Sequence, residues 1–280
     1  HLPPFLAAIR AGVGSIMITH GKVNGVPVHA SRPLVTDLLK GELGFAGIVA
    51  SDWAAPSDVS KDFREAVREI VNAGVDLVMV PADYRRFTST LREEVEAGRV
   101  PRSRIDDAVT RILKKKLELG LFERPFADRS LAATIGAAAH RDLARRAVRE
   151  SLVLLKNDGV LPLAKATPRI FVAGKNADDI GNQAGGWTVT WQGHGGDTIP
   201  GTTILEGIRA TVAPGAVVTY ERTARGIDRS YDVAVVVVGE KPYAEWFGDR
   251  NDGLGLDATD LQTLGAVQRA GVPAVVVLVS

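Results

Sequence analysis

The stretch GIVASDWAAPSDVSKDFREAVREIVNAGVDLVMV, residues 47–80, holds two short apolar runs separated by an amphipathic segment. The runs at 47–51 and 74–80 are nearly continuous in apolar residues, which is typical of strands buried on both faces. Residues 58–72 place apolar side chains at helical spacing, and Gly74 stands where a helix would end. Strand, helix and strand in this order predict a parallel sheet covered by helices, so the expected fold class is α/β.

The same alternation extends over residues 1–120. A strand is predicted at 14–20, a helix at 31–43 and a further helix over 105–117. Three such β/α units are too few to close an eight-stranded barrel, but they fit the last part of one. We therefore expect residues 1–120 to form the C-terminal portion of a TIM-type (β/α)8 barrel.

The second half of the chain has a similar pattern after a less regular stretch. Residues 121–140 are interpreted as a linker, and residues 141–280 as an α/β sandwich domain with a mostly parallel sheet. Helices are expected at about 139–151 and at 261–271, and strands at 169–174, 216–220, 233–240 and 274–280. Residues 152–163 are expected to form a strand with a turn after it. The chain begins within a helical pattern and stops on a strand, so we expect an internal fragment whose second domain is truncated.

Composition excludes several classes of function. Lysine and arginine (34) nearly balance aspartate and glutamate (33), so no basic surface for nucleic acid or an anionic membrane is expected. No apolar run approaches the ~20 residues of a membrane span. There is no cysteine, and the five histidines include no H-x-x-x-H pair. We therefore predict no metal and no cofactor, and neither nucleic acid nor membrane as a partner.

Asp52 is the first candidate for chemistry. It directly follows the predicted strand 47–51 and precedes Trp53. In parallel α/β folds, residues just past the carboxyl ends of strands line the active site. The alternative is an ordinary loop or helix N-cap aspartate.

A second group of carboxyl groups follows the apolar strand 233–240. Glu240, Glu245 and Asp249 lie near one strand end, and Glu245 stands between Tyr243 and Trp246. We expect these aromatic neighbours to desolvate Glu245 partly, as a proton-donating carboxyl requires. The alternative is a surface loop with solvated acids.

The third feature is the glycine-rich loop GGWTVTWQGHGGDT, residues 185–198, which contains Trp187 and Trp191. Exposed indole faces on such a loop suit stacking on sugar rings. The alternative is a structural loop packed on the neighbouring domain. A phosphate-binding loop is not indicated, because no G-K-[ST] follows the glycines.

Two carboxyl groups and an aromatic clamp are the components of a glycoside hydrolase, with the site expected in a cleft between the domains. Three other interpretations of the function remain. The same architecture could transfer the sugar to phosphate or to a second sugar. The Trp loop could serve a carbohydrate-binding protein without catalysis. A nucleotide-binding α/β protein is the third, although the chain lacks G-x-G-x-x-G and a P-loop.

The segment LLKGELGFAGIVASDWAA, residues 38–55, resembles the signature around the nucleophile of glycoside hydrolase family 3. NGVPVHA at 24–30 and AGVDLVMVP at 73–81 are also similar to that family. In the second half, GGWTVTWQG and VVVGEKPYAEWFGD resemble its β-glucosidases and exo-β-glucanases. The resemblance covers essentially the whole chain and implies a barrel followed by a sandwich domain.

The resemblance also implies roles for individual residues. Asp52 matches the catalytic nucleophile and Glu245 the acid/base. Trp53 and Trp191 match the pair that clamps the second sugar, with Trp187 in the same loop as a further contact. His20 stands where related enzymes have a tyrosine near the first sugar, so its role stays open.

The implied activity is retaining hydrolysis of β-glucosides or β-glucans, with release of glucose from non-reducing ends and no cofactor. The residues that grip the first glucose in the family have no counterpart here, so we expect the fragment alone to be inactive. The resemblance favours a periplasmic or secreted location.

Overall fold

The computed structural model describes residues 1–251 and 253–280, and the chain divides into two compact units, His1–Leu143 and Ala144–Ser280. The first unit contains α1 (Leu2–Arg10), β1 (Ser15–Met17), β2 (Lys22–Val23), β3 (Val26–Pro27), a 3-10 turn (Val28–Ala30), a π-helix (Pro33–Glu42), β4 (Ile48–Trp53), α2 (Pro56–Val59), α3 (Phe63–Ala73), β5 (Leu77–Met79), α4 (Tyr84–Glu96), α5 (Arg102–Glu118) and a 3-10 helix (Arg129–Thr134). Helix α6 (Ala138–Ser151) contains the division between the units.

The sheet of the first unit has the order β1-β4-β5, with both pairs of strands parallel. Strands β2 and β3 form a separate antiparallel hairpin. The core lies between the sheet and its helices and contains Ile18, Val35, Phe45, Val49, Ala55, Ile70 and Val75. The α/β class and the parallel pairing predicted for this half are confirmed.

Two helices replace the single helix predicted over residues 58–72. Helix α2 ends at Val59, Ser60 is extended, and α3 begins after Asp62. The Asp62 side chain accepts hydrogen bonds from the main-chain N–H groups of Arg64 and Glu65, so it acts as an N-cap and restarts the helix. Gly74 ends α3 as predicted, with φ of 116°, a conformation that favours glycine.

The helix predicted over residues 31–43 is present, but its hydrogen bonds run from residue i to i−5. The N–H of Leu43 donates to the carbonyl of Leu38 at 2.9 Å. This wider helix covers the sheet with Val35, and Lys40 reaches the buried carboxylate of Asp76 at 2.7 Å. Asp76 also accepts the N–H of Val49 at 2.9 Å, which ties β4 to this helix.

The second unit contains β6 (Arg169–Ala173), α7 (Ile180–Ala184), α8 (Ile204–Thr211), β7 (Val217–Tyr220), β8 (Val233–Gly239), a 3-10 turn (Glu245–Gly248), α9 (Ala258–Ala270) and β9 (Ala274–Val279). Its sheet has the order β7-β6-β8-β9, and all three strand pairs are parallel. Every residue of β8 is buried. A mostly parallel sheet was predicted for this half and is confirmed.

Gly174 lets β6 and β8 lie close together at their carboxyl ends. Its φ is 98°, and a Cβ at this position would collide with the carbonyl of Val237. The chain therefore leaves β6 beside the end of β8, where the segment containing Glu245 also begins.

The strand predicted at the start of 152–163, before a turn, is absent. Leu152, Val153, Leu154 and Leu155 are exposed and have no strand partner among the described residues. The following residues form a loop around Asn157, whose Oδ1 accepts the N–H groups of Gly159 and Leu161 while its Nδ2 donates to the Leu161 carbonyl. An apolar run shows that a segment can be buried, but a strand also needs a partner.

Among the residues that the structure describes, no helix combines the length and the apolar character needed to cross a bilayer.

Candidate active site

Asp52 lies inside β4, one residue before its end, rather than directly after the strand as the sequence indicated. Its side chain is 26% exposed and stands at the carboxyl end of the central strand of the sheet. Oδ1 accepts the main-chain N–H of Trp53 at 2.7 Å. No donor in the described part of the chain is hydrogen-bonded to Oδ2, so this oxygen is available to a ligand.

Two buried side chains contact the main chain of Asp52. Nε2 of His29 accepts its N–H at 3.0 Å, and Oγ of Ser51 donates to its carbonyl at 2.7 Å. Sequence reasoning missed both residues as parts of the site. His29 stands in the segment 24–30, which was interpreted only as a loop resembling the family, and no spacing rule links it to Asp52.

His20, whose role the sequence left open, lies beside Asp52. Its Nε2 donates to the carbonyl of Trp53 at 2.9 Å and lies 3.6 Å from Oδ1 of Asp52. On the other side of the ring, Nδ1 lies 3.6 Å from Oδ2 of Asp58. Asp58, at the third position of α2, is another member of the site that the sequence did not single out.

The His29 ring is fully buried, and its pKa lies below the ordinary value for histidine. Burial is the main cause, because the charged ring loses its hydration, and the neighbouring His20 adds to the lowering. Asp58 and Asp52 oppose it, and burial prevails. His29 is therefore neutral near pH 7, as its acceptance of the Asp52 N–H requires.

His20, His29 and Asp58 could direct one ligand atom each toward a common point, since these atoms lie within 4.8 Å of one another. However, Nε2 of His29 accepts a hydrogen bond, so the neutral ring carries its proton on Nδ1, the atom that lies 3.8 Å from Oδ2 of Asp58. Nδ1 then has no lone pair for a metal. The remaining two residues are fewer than the three protein ligands of a catalytic zinc site, and we assign no metal to this cluster.

In the second unit, Trp191 lies at the centre of an aromatic cluster. Its ring is edge-to-face with Trp246, at 5.6 Å between centroids, and with Phe247 at 6.1 Å. The Trp187 ring is tilted against it at 6.4 Å. Trp187 is 70% exposed and Trp191 is 37% exposed, so the loop presents indole surface to solvent, as predicted.

One hydrogen bond connects the Trp loop to the segment that carries Glu245, and a second closes the loop on itself. Oε1 of Gln192 accepts the N–H of Ala244 at 2.9 Å, and the N–H of Trp187 donates to the carbonyl of Trp191 at 2.9 Å. Trp187, Val189 and Glu245 all have positive φ, of 58°, 62° and 53°. Such conformations cost of order 1–3 kcal/mol each in non-glycine residues and concentrate at functional sites.

Glu245 opens the short 3-10 turn and is exposed, so the expected desolvation by Tyr243 and Trp246 is wrong for this structure. Tyr243 instead turns back and donates its hydroxyl to Oε2 of Glu240 at 2.9 Å. Among the described residues, the Glu245 carboxylate has no ion-pair partner.

Glu240, another carboxyl candidate from the sequence, is paired. The Arg250 guanidinium holds its pKa below the ordinary value for glutamate, and the Tyr243 hydroxyl adds to this effect. A carboxyl group held in its ionised form cannot serve as a proton donor near neutral pH. Of the three acids singled out from the sequence, Glu245 and Asp249 are the two without an ion pair to any described residue.

Two family models match the chain, one described as the glycosyl hydrolase family 3 N terminal domain over residues 1–115 and the other as the glycosyl hydrolase family 3 C-terminal domain over residues 152–280. The chain belongs to glycosyl hydrolase family 3. The family resemblance stated from the sequence is confirmed.

Relatives in this family include named enzymes. The chain is 39% identical to a lysosomal beta glucosidase of Dictyostelium discoideum over 99% of this chain and 37% of that protein. It is 32% identical to a periplasmic beta-glucosidase of Salmonella typhimurium, over 84% of this chain and 31% of that protein. The crystal structure of an exo-1,3/1,4-beta-glucanase from a Pseudoalteromonas species matches with a TM-score of 0.89 and 40% identity, covering 99% of this chain and 36% of that one. The chain thus spans about a third of the length of these family members.

Proposed function

We propose that this chain supplies the nucleophile and the acid/base of a retaining β-glucosidase or exo-β-glucanase that releases glucose from the non-reducing ends of β-glucosides and β-glucans. The observation that carries the proposal is the position of the Asp52 carboxylate at the end of a parallel strand, in a member of this family. Its Oδ1 is held by the main chain, and its Oδ2 accepts no hydrogen bond from the described residues.

The proposed architecture assigns residues 1–120 to the C-terminal portion of a TIM-type barrel, 121–140 to a linker and 141–280 to an α/β sandwich domain. Parallel three- and four-stranded sheets in the two halves support this assignment. So does the match of the N-terminal and C-terminal family models to the two halves.

In the proposed reaction, Oδ2 of Asp52 attacks the anomeric carbon and the bond from that carbon to the leaving oxygen breaks. Glu245 gives its proton to the leaving oxygen. Water then attacks the anomeric carbon, Glu245 takes a proton from it, and the bond to Asp52 breaks to release glucose. Glu245 suits the proton transfers better than Glu240, because Glu240 is paired with Arg250.

Sugar recognition is assigned to exposed aromatic faces and to His20. Trp53 is 63% exposed beside Asp52, and Trp191 with Trp187 presents the indole surface of the Trp loop. Apolar faces of pyranose rings stack on such surfaces, and we propose that these three residues contact the substrate. We propose that His20, whose Nε2 lies 3.6 Å from Oδ1 of Asp52, contacts the sugar that Asp52 attacks.

The location proposed for the whole protein is outside the cytosol. The Salmonella relative is named as periplasmic and the Dictyostelium relative as lysosomal. Both compartments are reached by transport across a membrane, which supports a periplasmic or secreted location for this protein as well.

The test is Asp52→Asn in the whole enzyme that contains this chain, assayed with 4-nitrophenyl β-D-glucopyranoside. An amide cannot form the glycosyl ester, so turnover should fall at least about 10⁴-fold. Asp37→Asn is the matched control. Asp37 is an exposed carboxylate on the π-helix, so this substitution should leave turnover unchanged.

Two further measurements examine the details of the chemistry. A 2-deoxy-2-fluoro-β-glucosyl fluoride should label Asp52 covalently, and peptide mass spectrometry would show the site. Glucose 1-phosphate formed in phosphate buffer would favour phosphorolysis instead of hydrolysis. Near-normal turnover by Asp52→Asn would refute the assignment of the nucleophile.

A further inference from the structure

The pairing of β4 with β5 is interrupted at Asp52. Ala50 is opposite Leu77 and Trp53 is opposite Met79, so β4 has one more residue than β5 between these two pairs. This is a β-bulge, and a bulge re-aims side chains and leaves main-chain groups without ladder partners. Ser51 and Asp52 are the residues of β4 that lie within it.

The Ser51 side chain replaces part of the main-chain hydrogen bonding that the bulge removes between β4 and β5. Its Oγ accepts the N–H of Met79 at 2.8 Å and donates to the carbonyl of Asp52 at 2.7 Å. Ser51 is fully buried, so water does not compete for these bonds. A single hydroxyl thus links β5 to the carbonyl side of Asp52.

The N–H side of Asp52 is held by His29, whose Nε2 accepts it at 3.0 Å. His29 is fully buried on the 3-10 turn Val28–Ala30, and its Nδ1 lies 3.8 Å from Oδ2 of Asp58. The carboxylate on that side favours the tautomer with the proton on Nδ1, which leaves the Nε2 lone pair for Asp52.

We propose that His29 and Ser51 are positioning residues that clamp both main-chain polar groups of Asp52 at the bulge and thereby fix the direction of its carboxylate. The inference rests on the proposed function of Asp52 as nucleophile. Neither residue touches the reacting atoms, and both act through the main chain of Asp52. We call this arrangement the main-chain clamp.

The clamp determines where Oδ2 lies. Asp52 Oδ1 is bound to the N–H of Trp53, and the two peptide units that flank Asp52 are bound to Ser51 and His29. If either bond is lost, the freed peptide unit can rotate and carry the carboxylate with it. A displacement of about 1 Å at a reacting group can cost about 100-fold in rate.

The experiment compares His29→Leu with His29→Gln. Leu removes the acceptor, whereas the Oε1 of Gln can replace Nε2 at nearly the same distance from the main chain. In the whole enzyme with 4-nitrophenyl β-D-glucopyranoside, His29→Leu should lower kcat about 100-fold and change KM less than about threefold. His29→Gln should recover at least about tenfold of the lost kcat. Equal kcat for the two variants, or a change mainly in KM, would overturn the proposal.

A second measurement does not depend on activity or on a folded variant. In the chain itself, labelled with ¹⁵N at histidine, the spectrum should show His29 as a neutral ring with its proton on Nδ1 at pH 7. A proton on Nε2 would overturn the clamp directly. If Asp52→Asn keeps full activity, the proposed function fails, and this spectrum still decides whether the clamp exists.

Discussion

The two carboxyl groups proposed for catalysis are held in different ways. Asp52 lies on a strand, with its main chain bonded to two buried side chains and 26% of its side chain exposed. Glu245 lies on an exposed turn with a positive φ, and no ion pair or buried partner restrains its carboxylate in the described residues. A nucleophile must meet one carbon atom in one direction, whereas an acid/base must exchange protons with a leaving group and then with water. We therefore expect the reaction rate to depend on the rigidity of the main chain at Asp52. At Glu245 we expect it to depend on how firmly the loop is anchored.

Among changes in the second unit, the largest effect is expected from Glu245→Ala with substrates whose leaving group needs a proton. Cellobiose turnover should fall about 10²–10⁴-fold. Glycosyl transfer from 4-nitrophenyl β-D-glucopyranoside should fall far less, because 4-nitrophenolate leaves without protonation. The comparison uses kcat/KM for both substrates, which reports glycosyl transfer to Asp52, because the second step also lacks its base in this variant.

Asp249→Ala is the control, since Asp249 lies in the same segment and, like Glu245, forms no ion pair with a described residue. It should change both rates less than about threefold. A large loss for Asp249→Ala combined with little loss for Glu245→Ala would assign the acid/base role to Asp249.

A smaller effect is expected when the base of the Glu245 loop is released. Arg250 pairs with Glu240 across the two ends of the loop, and its guanidinium lies over the Tyr243 ring at 5.2 Å. Arg250→Gln removes the charge from both contacts. Cellobiose turnover should fall about tenfold through misplacement of Glu245, with less effect on the nitrophenyl substrate.

Limited proteolysis of the chain gives an independent measurement of this change, because the released loop should be cleaved faster between residues 240 and 250. Arg209→Gln, on an exposed residue of α8, is the matched control and should leave both measurements unchanged. Unaltered proteolysis in Arg250→Gln would show that the ion pair does not anchor the loop.

Substrate contacts should be more sensitive at Trp191 than at Trp187. Trp191 packs against three aromatic rings, whereas Trp187 packs against one ring of the described residues, that of Trp191, and is more exposed. Each aromatic pair contributes about 0.5–1.5 kcal/mol beyond its buried area. Trp191→Ala removes the ring against which the other three aromatic rings pack and should raise KM for laminaribiose about fivefold or more. Trp187→Ala should raise it less than about twofold. Equal changes in the two variants would argue against a central role for Trp191.

The sequence was informative where local pattern decides structure. Strands 233–240 and 274–280 are runs of β-branched residues, and the structure has both. The position of Asp52 near the end of its strand followed from the apolar run before it. The run at 152–155 is also apolar but has no partner strand among the described residues, and apolar character does not specify pairing.

The surroundings of Asp52 could not be predicted in the same way. The bulge depends on the register between β4 and β5, which are separated by two helices. His29 contacts Asp52 from a position 23 residues earlier in the chain. Such contacts arise from tertiary packing, and a single sequence carries no periodicity that shows them.

The smallest expected effect concerns the pH dependence of stability at His29. Burial lowers the pKa of His29 in the folded chain below the value of about 6.5 that the unfolded chain has. Between these two pKa values the unfolded state binds the additional proton, so stability is complete above about pH 6.5 and declines as the pH falls through the folded pKa. His29→Gln carries no titrating group. Its urea midpoint should therefore fall less than that of the wild type between pH 8 and pH 5. His140→Gln, on an exposed histidine of α6, should follow the wild type. If His29→Gln also follows the wild type, protonation of His29 does not contribute to the pH dependence of stability.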